Sequence, residues 1–260
     1  LKLLIKVGGT LLEDLSRQSD IARQLTQIRR EHDLVIVHGG GKQVTQFLQE
    51  RGVSSRFVGG LRVSDEAVID AVTKVIAGGV NKSLVSALVG AGTPAVGLSG
   101  VDGSLTVAEQ FNADLGFVGR PVQTDGRLLN TLLNAGYLPV IACIAGDRSG
   151  NIYNVNADQM AVSCALGWGA ERLLFLTDVD GVKDSNGTAI SRIDETGIDD
   201  LIQSGVARGG MQAKLEAARF ALRNGLSVIV IASGHERDVC IRLLRGEPLG
   251  SRLALEVVAR

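Results

Sequence analysis

Val35-Ile36-Val37-His38-Gly39-Gly40-Gly41-Lys42 is the stretch that decides the fold. Leu34 to Val37 are all apolar and mostly β-branched, the signature of a strand buried on both faces in a parallel sheet. Three glycines stop it. Val44, Phe47 and Leu48 then recur at helical spacing. The glycines therefore lie where a strand ends and a helix begins. There, backbone N–H groups lack partners and the helix dipole is positive. Without a Cβ in the way, an anion can approach the main chain closely. A sharp turn needing glycine only for its φ angles is the alternative, and three glycines in succession favour the anion.

The same arrangement recurs on either side. Lys2 to Val7 reads as a strand that ends in Lys6-Val7-Gly8-Gly9-Thr10, and residues 18–31 read as a helix with Ile21, Leu25 and Ile28 on one face. Gly52 to Ser64 is irregular or hairpin-like. Ser64-Asp65-Glu66 opens a helix running towards Gly78-Gly79, and a further helix covers Lys82 to Gly90. Ala95 to Leu98 is a short strand. Residues 100–127 alternate without helical period and suggest two hairpins. A helix from Arg127, a buried strand Leu138 to Ile144 and a helix after Asp158 follow. From Arg172 the pattern resumes with a strand stopped at Thr177, a turn at Asn186-Gly187, a short helix from Asp199, an amphipathic helix after Arg208-Gly209-Gly210-Met211, a strand Leu226 to Ile231 and a last helix at 236–245. Strands alternating with helices imply a three-layer α/β/α sandwich around a mostly parallel sheet, with ligands at the carboxyl ends of the strands. No long linker separates the halves, so the two lobes, 1–170 and 171–260, share one sheet.

Composition narrows the class. Aromatic residues are 3% of the chain, too few for the stacking platforms that bind single-stranded nucleic acid. Lys+Arg 27 against Asp+Glu 28 leaves no excess charge to attract nucleic acid or an anionic membrane. Glycine, at 33 of 260 residues, is well above the usual ~7% and concentrates in short loops. Cys143, Cys164 and Cys240 sit in apolar surroundings without a C-x-x-C pair, which suits small buried hydrophobes in a reducing compartment. There is no leader pattern and no apolar run of about 18 or more residues, so a cytoplasmic protein is expected.

Familiar nucleotide motifs fail. Gly39-x-Gly41 is not completed as G-x-G-x-x-G, and Gly79-Val80-Asn81-Lys82-Ser83 lacks the glycine that a Walker loop places before lysine. His32, His38 and His235 are too scattered for zinc, and no metal-ligand set is apparent. What remains is a set of glycine pairs, strand-end lysines and acids. Lys6 would lie among other strand ends. Lys214 follows Gly210 by four residues, near a helix start that disfavours a cation unless an anion is also present. Both lysines suggest a dense negative charge between them. Asp158 could hold both, or could simply cap the first turn of its helix.

Taken in order, Ile5-Lys-Val-Gly-Gly9, Val37-His-Gly-Gly-Gly-Lys42, Gly60-Leu-Arg-Val63, Gly78-Gly-Val-Asn-Lys82, Asn154-Val-Asn-Ala-Asp158, Leu176-Thr-Asp-Val-Asp-Gly181 and Gly209-Gly-Met-Gln-Ala-Lys214 resemble the amino-acid kinase family across nearly the whole chain. Each motif is short, and their shared order and spacing carry the resemblance. Asp180 departs from it, since relatives often have proline or another small residue after Asp-Val. The Gly-Gly-Gly, Gly-Leu-Arg-Val and Asn-Val-Asn-Ala-Asp stretches point to the branch whose acceptor is N-acetyl-L-glutamate.

The resemblance implies ATP-dependent phosphorylation of that acceptor's side-chain carboxylate, the second step of arginine synthesis. The amino-terminal lobe would bind the acetylated amino acid and the carboxy-terminal lobe the nucleotide. Lys6 and Lys214 would flank the moving phosphoryl group, with Asp158 orienting them. Gly8 and Gly9 would offer N–H donors to phosphate, and Gly40 and Gly41 to substrate as well. Arg62 would pair with the α-carboxylate, Asn154 with remaining polar groups. Thr177, Asp178, Val179, Asp180, Gly181, Val182 and Lys183, with Gly209, Gly210 and Met211, would border ATP. Mg²⁺ would be held mainly through nucleotide phosphates. A kinase of an acetylated or carrier-bound 2-aminoadipate and a non-catalytic ligand sensor of the same fold are the alternatives. Arginine-inhibited members of the family carry an extra amino-terminal helix that joins dimers into hexamers. Here the first strand starts at Lys2, so a homodimer that arginine does not inhibit is expected.

Overall fold

Leu34 to His38 are fully buried in a computed structural model of the chain, which describes residues 1–255. In chain order the first half contains β1 (Lys2–Val7), α1 (Leu15–Arg29), β2 (Asp33–His38), α2 (Gly41–Gln49), β3 (Phe57–Val58), β4 (Leu61–Arg62), α3 (Glu66–Val72) and α4 (Asn81–Gly90). It continues with β5 (Ala95–Ser99), β6 (Thr106–Gln110), β7 (Val118–Thr124), α5 (Arg127–Asn134), β8 (Leu138–Ala142), β9 (Ile144–Gly146), β10 (Ile152–Val155) and α6 (Ala157–Trp168). Beyond residue 170 come β11 (Arg172–Thr177), β12 (Arg192–Ile193), α7 (Glu195–Gln203), α8 (Gly209–Arg223), β13 (Val228–Ser233), α9 (Val239–Leu244) and β14 (Ser251–Leu253).

Eight strands form one sheet in the order β12-β14-β13-β11-β1-β2-β8-β5. The six from β13 to β5 run parallel, and β14 turns antiparallel to β13. Strands before residue 170 make one half of the sheet and later strands the other, with β1 and β11 paired at the join. Strand periodicity splits β1 between the two faces. Leu3, Ile5 and Val7 join the core on one side. Leu4 joins the other, where α6 and α8 contribute Met160, Ala161, Leu215 and Ala218. Lys6 shares the face of Leu4. An apolar strand thus delivers a lysine to the side on which those two helices pack.

Two expectations require correction. Residues 100–127 hold one hairpin, β6 with β7, not two. The strands that complete the unit, β9 and β10, come from beyond β8, and the four close as a small barrel, β10-β7-β6-β9. Gly78-Gly79 also does not end a helix. The chain is helical from Glu66 to Gly90, and Thr73–Val80 between α3 and α4 is wound as a π-helix. Such widened turns are often functional. Here Ile76 and Val80 are brought against the glycine loop, because a Cβ on Gly40 would lie 3.2 Å from Ile76 and 3.4 Å from Val80. By length and composition this helix could cross a bilayer. Val68, Val72, Ile76, Val80, Leu84 and Leu88 are instead buried in the protein core.

Asn81, fully buried, ties this helix to the sheet. Its Nδ2 donates to Val140 O and to His38 Nε2, both at 3.0 Å. Room for it exists because residue 97 of β5 is glycine: a Cβ there would meet Asn81 Oδ1 at 1.9 Å. Gly97→Ala is expected to destabilise the protein by about 1–3 kcal/mol, the usual cost of overpacking, with added loss from displaced hydrogen bonds. A urea midpoint unchanged from the parent would contradict this account of the position.

Candidate active site

The carboxyl ends of β1, β2 and β8 and the start of α6 surround the cavity to which the motif residues contribute. Asn156 caps α6, its Oδ1 accepting from the N–H groups of Asp158 at 2.9 Å and Gln159 at 3.2 Å. Capping and a charged role were alternatives for Asp158. The capping side chain is Asn156, and the Asp158 carboxylate is left for the lysines. Lys6 Nζ lies 2.9 Å from Asp158 Oδ1, and Lys214 Nζ lies 2.7 Å from Oδ2. All three are buried, and Lys214 also sits 5.0 Å over the Phe175 ring. Lys214 is the sixth residue of α8, a turn further from the helix start than its sequence context suggested.

Electrostatics favour the fully charged trio. Burial raises the Asp158 pKa, but Lys6 and then Lys214 outweigh it and hold the carboxyl at about 2. Burial lowers the Lys214 pKa, Asp158 opposes that, and nearby Lys6 adds to it. The net charge is +1 in a buried place. An ammonium has three donors; Lys214 donates one to Asp158 Oδ2, while Lys6 lies against Oδ1 as an ion pair that makes no hydrogen bond among the described residues. Two buried cations with unused donors fit an anion.

The glycine loops border the same cavity of about 240 Å³, with Lys6, Arg62 and Asn154. Helix α2 starts at Gly41 with Gly40 as an uncapped N-cap, so its first N–H groups face no side-chain acceptor. The N–H of Gly8 differs from expectation. It is bonded to Leu176 O at 3.0 Å as an extension of the sheet, and the backbone donors at this edge are those of Gly9, Gly40 and Gly41. Loop contact is tight: a Cβ on Gly9 would lie 3.0 Å from Gly40 N.

Arg62 is 7% exposed and has no acidic partner among the described residues. Its Nη2 donates to Gly41 O at 2.7 Å and Thr45 Oγ1 at 2.8 Å, Nη1 bonds Ser55 Oγ, and the guanidinium lies 4.7 Å over Phe57. Burial without a counter-ion lowers its pKa. A buried guanidinium held on three sides, with its charge unmatched, suits a carboxylate ligand. Asn154 Nδ2 donates to Ser64 Oγ at 3.1 Å, so the barrel strand β10 fixes that amide beside the cavity. Val44, Leu61, Val72 and Ile76 supply an apolar wall.

The second glycine region lies at the sheet's later half. Gly209 and Gly210 open α8, which has no side-chain N-cap, and both are exposed, with Met211 half-buried. Thr177 ends β11. Asp178, Asp180 and Lys183 are exposed, and Val179 is half-buried. Gly181 and Val182 do not fit a ligand-facing role. Val182 is 1% exposed and its N–H donates to Ser251 Oγ at 2.8 Å, while Gly181 packs on the same serine. They anchor the loop to β14.

Sequence reasoning missed Gln43, Thr45, Ser55 and Phe57, which hold the glycine loops and Arg62, and Cys143, which lines the cavity. A signal existed for Gln43: it is the third residue of α2, the position from which a glutamine side chain reaches back past a helix start. The three cysteines are buried and unpaired, as expected.

The amino acid kinase family profile matches residues 2–232. The chain is 50% identical over 254 residues to a Solibacter usitatus protein named acetylglutamate kinase, covering 97% of this chain and 99% of the relative. A Geobacillus kaustophilus protein of the same name is 44% identical over 232 residues, 89% of each chain. The fold matches N-acetylglutamate synthase from Neisseria gonorrhoeae at a TM-score of 0.85 and 22% identity, over 98% of this chain and 61% of that one. It matches Giardia carbamate kinase at 0.72 and 17% identity, over 98% and 99%. With the profile match over residues 2–232 and these relatives, the chain belongs to the amino acid kinase family.

Proposed function

We infer that this protein transfers the γ-phosphoryl group of ATP to the side-chain carboxylate of N-acetyl-L-glutamate, giving the acyl phosphate and ADP, a step of arginine biosynthesis. The observation that carries the chemistry is the buried Lys6–Asp158–Lys214 trio beside open glycine N–H groups. The acceptor is supported by the relatives named acetylglutamate kinase. A carboxylate oxygen attacks phosphorus, the bond to the β–γ bridging oxygen breaks, and its electron pair leaves with ADP. An acid with a solution pKa near ~4.3 is already ionised, so no general base is needed. His38 could not serve as one: burial holds its pKa down at about 4, and both ring nitrogens are engaged. The task left is to bring anions together and neutralise charge at the transferring group.

In this reading residues 1–170 hold the acceptor and 171–260 the nucleotide. Arg62 takes the α-carboxylate, Asn154 the remaining polar atoms, and Lys6, Lys214 and the N–H groups of Gly9, Gly40 and Gly41 the moving phosphoryl. Thr177 to Asp180, Lys183 and Gly209 to Met211 border ATP. Mg²⁺, which shields phosphate charge, would enter with the nucleotide and keep several waters. Among the described residues no three His, Cys, Asp or Glu side chains cluster to hold a metal, and exposed Asp178 and Asp180 are the nearby carboxylates in the proposed nucleotide border. A two-fold homodimer is the assembly we propose, the commonest closed form of soluble proteins. Light scattering reads it.

ADP release with and without N-acetyl-L-glutamate tests the activity. Turnover only with the acceptor one methylene longer would move the assignment to a sister kinase, and binding without turnover to a sensor. Arg62→Lys is expected to raise KM for N-acetyl-L-glutamate by about 10- to 100-fold and leave KM for ATP unchanged, since lysine cannot fork across a carboxylate. A rise confined to ATP would place Arg62 on the nucleotide side.

A further inference from the structure

The five glycines of the two loops, Gly8, Gly9 and Gly39 to Gly41, share a polarity. Every one of their carbonyls accepts a hydrogen bond from within the protein. Gly8 O takes Leu11 N–H at 3.1 Å and Gly40 O takes Val44 N–H at 3.0 Å. Gly39 O is engaged by His38 Nδ1 at 2.9 Å. Gly41 O takes Arg62 Nη2 at 2.7 Å and Thr45 Oγ1 at 3.0 Å. Gly9 O takes Gln43 Nε2 at 2.9 Å. By contrast, the N–H groups of Gly9, Gly40 and Gly41 donate to nothing among the described residues.

That division suits an anion, because a free carbonyl at this edge would repel phosphate as strongly as an N–H attracts it. Most of the carbonyl partners are fixed by helix geometry or by Arg62. Gln43 is different. A glutamine third in a helix ordinarily accepts from the N-cap N–H, which here is Gly40. Instead its amide crosses to the other loop, and its Oε1, although buried, makes no hydrogen bond among the described residues. Helix α2 gives up a capping bond, Gly40 N–H stays open, and the Gly8–Gly9 loop is tied to the Gly39–Gly41 loop. The amide orientation is fixed chemically, because the reverse would face oxygen to oxygen.

We propose that Gln43 is a positioning residue for phosphoryl transfer, holding the Gly9 carbonyl so that the two glycine loops present N–H groups, and no carbonyl, to the transferring phosphoryl group. The proposal rests on the transfer site assigned above. A misplaced cradle acts on the transition state more than on binding, so the effect belongs in kcat. Shifts of about 1 Å in such groups cost up to ~10²-fold.

The test is steady-state kinetics of the full chain carrying Gln43→Ala or Gln43→Glu, with melting curves. Both are expected to lose about 10- to 100-fold in kcat, with KM for each substrate within about threefold. Gln43→Glu, the same size but with no donor at neutral pH, should lose at least as much as Gln43→Ala. A role in packing alone would spare it. Either variant retaining kcat within about threefold, a loss confined to KM, or failure of both to fold overturns the proposal. Lys6→Met in the same assay separates the two levels: undiminished turnover there removes the transfer site itself, whereas its loss beside active Gln43 variants removes only this inference.

Discussion

Lys214→Met is expected to lower kcat by about 10²- to 10³-fold with little change in KM for either substrate, and Lys6→Ala to do the same. Both ammonium groups are buried and pinned to opposite oxygens of one carboxylate, so neither needs to reorganise when charge moves onto the transferring group. Preorganised charge in a dry site stabilises a transition state far more than the same charge in water. The ground state would gain less, because in the proposed complex the nucleotide would already share its charge with magnesium. Methionine keeps the length and apolar stem of lysine, so packing against Phe175 survives. The double variant should be little worse than either single one, since the lysines work on one charge. Unchanged kcat in folded Lys214→Met would remove the phosphoryl group from this place.

The sheet was legible because its strands are buried on both faces and therefore written as unbroken apolar runs, such as Leu34 to Val37 and Leu173 to Leu176. Loop glycines following those runs marked the ligand edge. The small barrel was not legible, because β6 and β7 pair with strands about thirty residues later, and no local pattern encodes that. The helix through Gly78-Gly79 was missed for a related reason. Two glycines cost about 2 kcal/mol of helix propensity, and burial of Ile76 and Val80 on either side offsets it. At the site, Lys6, Asp158 and Lys214 stood out because charges beside glycines at strand and helix ends are rare without a purpose. Gln43, Thr45 and Ser55 did not, since ordinary polar residues acquire their role only from what the fold places opposite them. Gly181 and Val182 turned out buried against Ser251 because exposed and core-facing residues alternate within one loop, and sequence alone does not give the phase.

Asp158→Asn should be as damaging to stability as the lysine variants are to rate. The carboxylate is the one ion-pair partner that either buried ammonium group has among the described residues, and removing one partner of a buried pair costs about 3–5 kcal/mol. In the parent, the carboxyl's depressed pKa means its stabilisation is fully present above about 3.8 and is lost as pH falls through about 2. The variant should move the pH dependence from the acid range to the alkaline range, with the same sign. Without Asp158, the main force that kept Lys214 protonated is gone, the more distant Asp178 remains, and burial together with Lys6 lowers its pKa further. A lysine whose folded pKa lies below its unfolded 10.5 gains stability as pH rises between those two values, because the unfolded chain then binds more protons. The deficit of Asp158→Asn relative to the parent should therefore shrink between pH 7 and pH 9.5 in urea denaturation. Turnover should stay low at both, because relief comes from discharging the lysine that the proposed transfer site uses. A deficit constant across that range would mean that the strain lies elsewhere than in the two lysines.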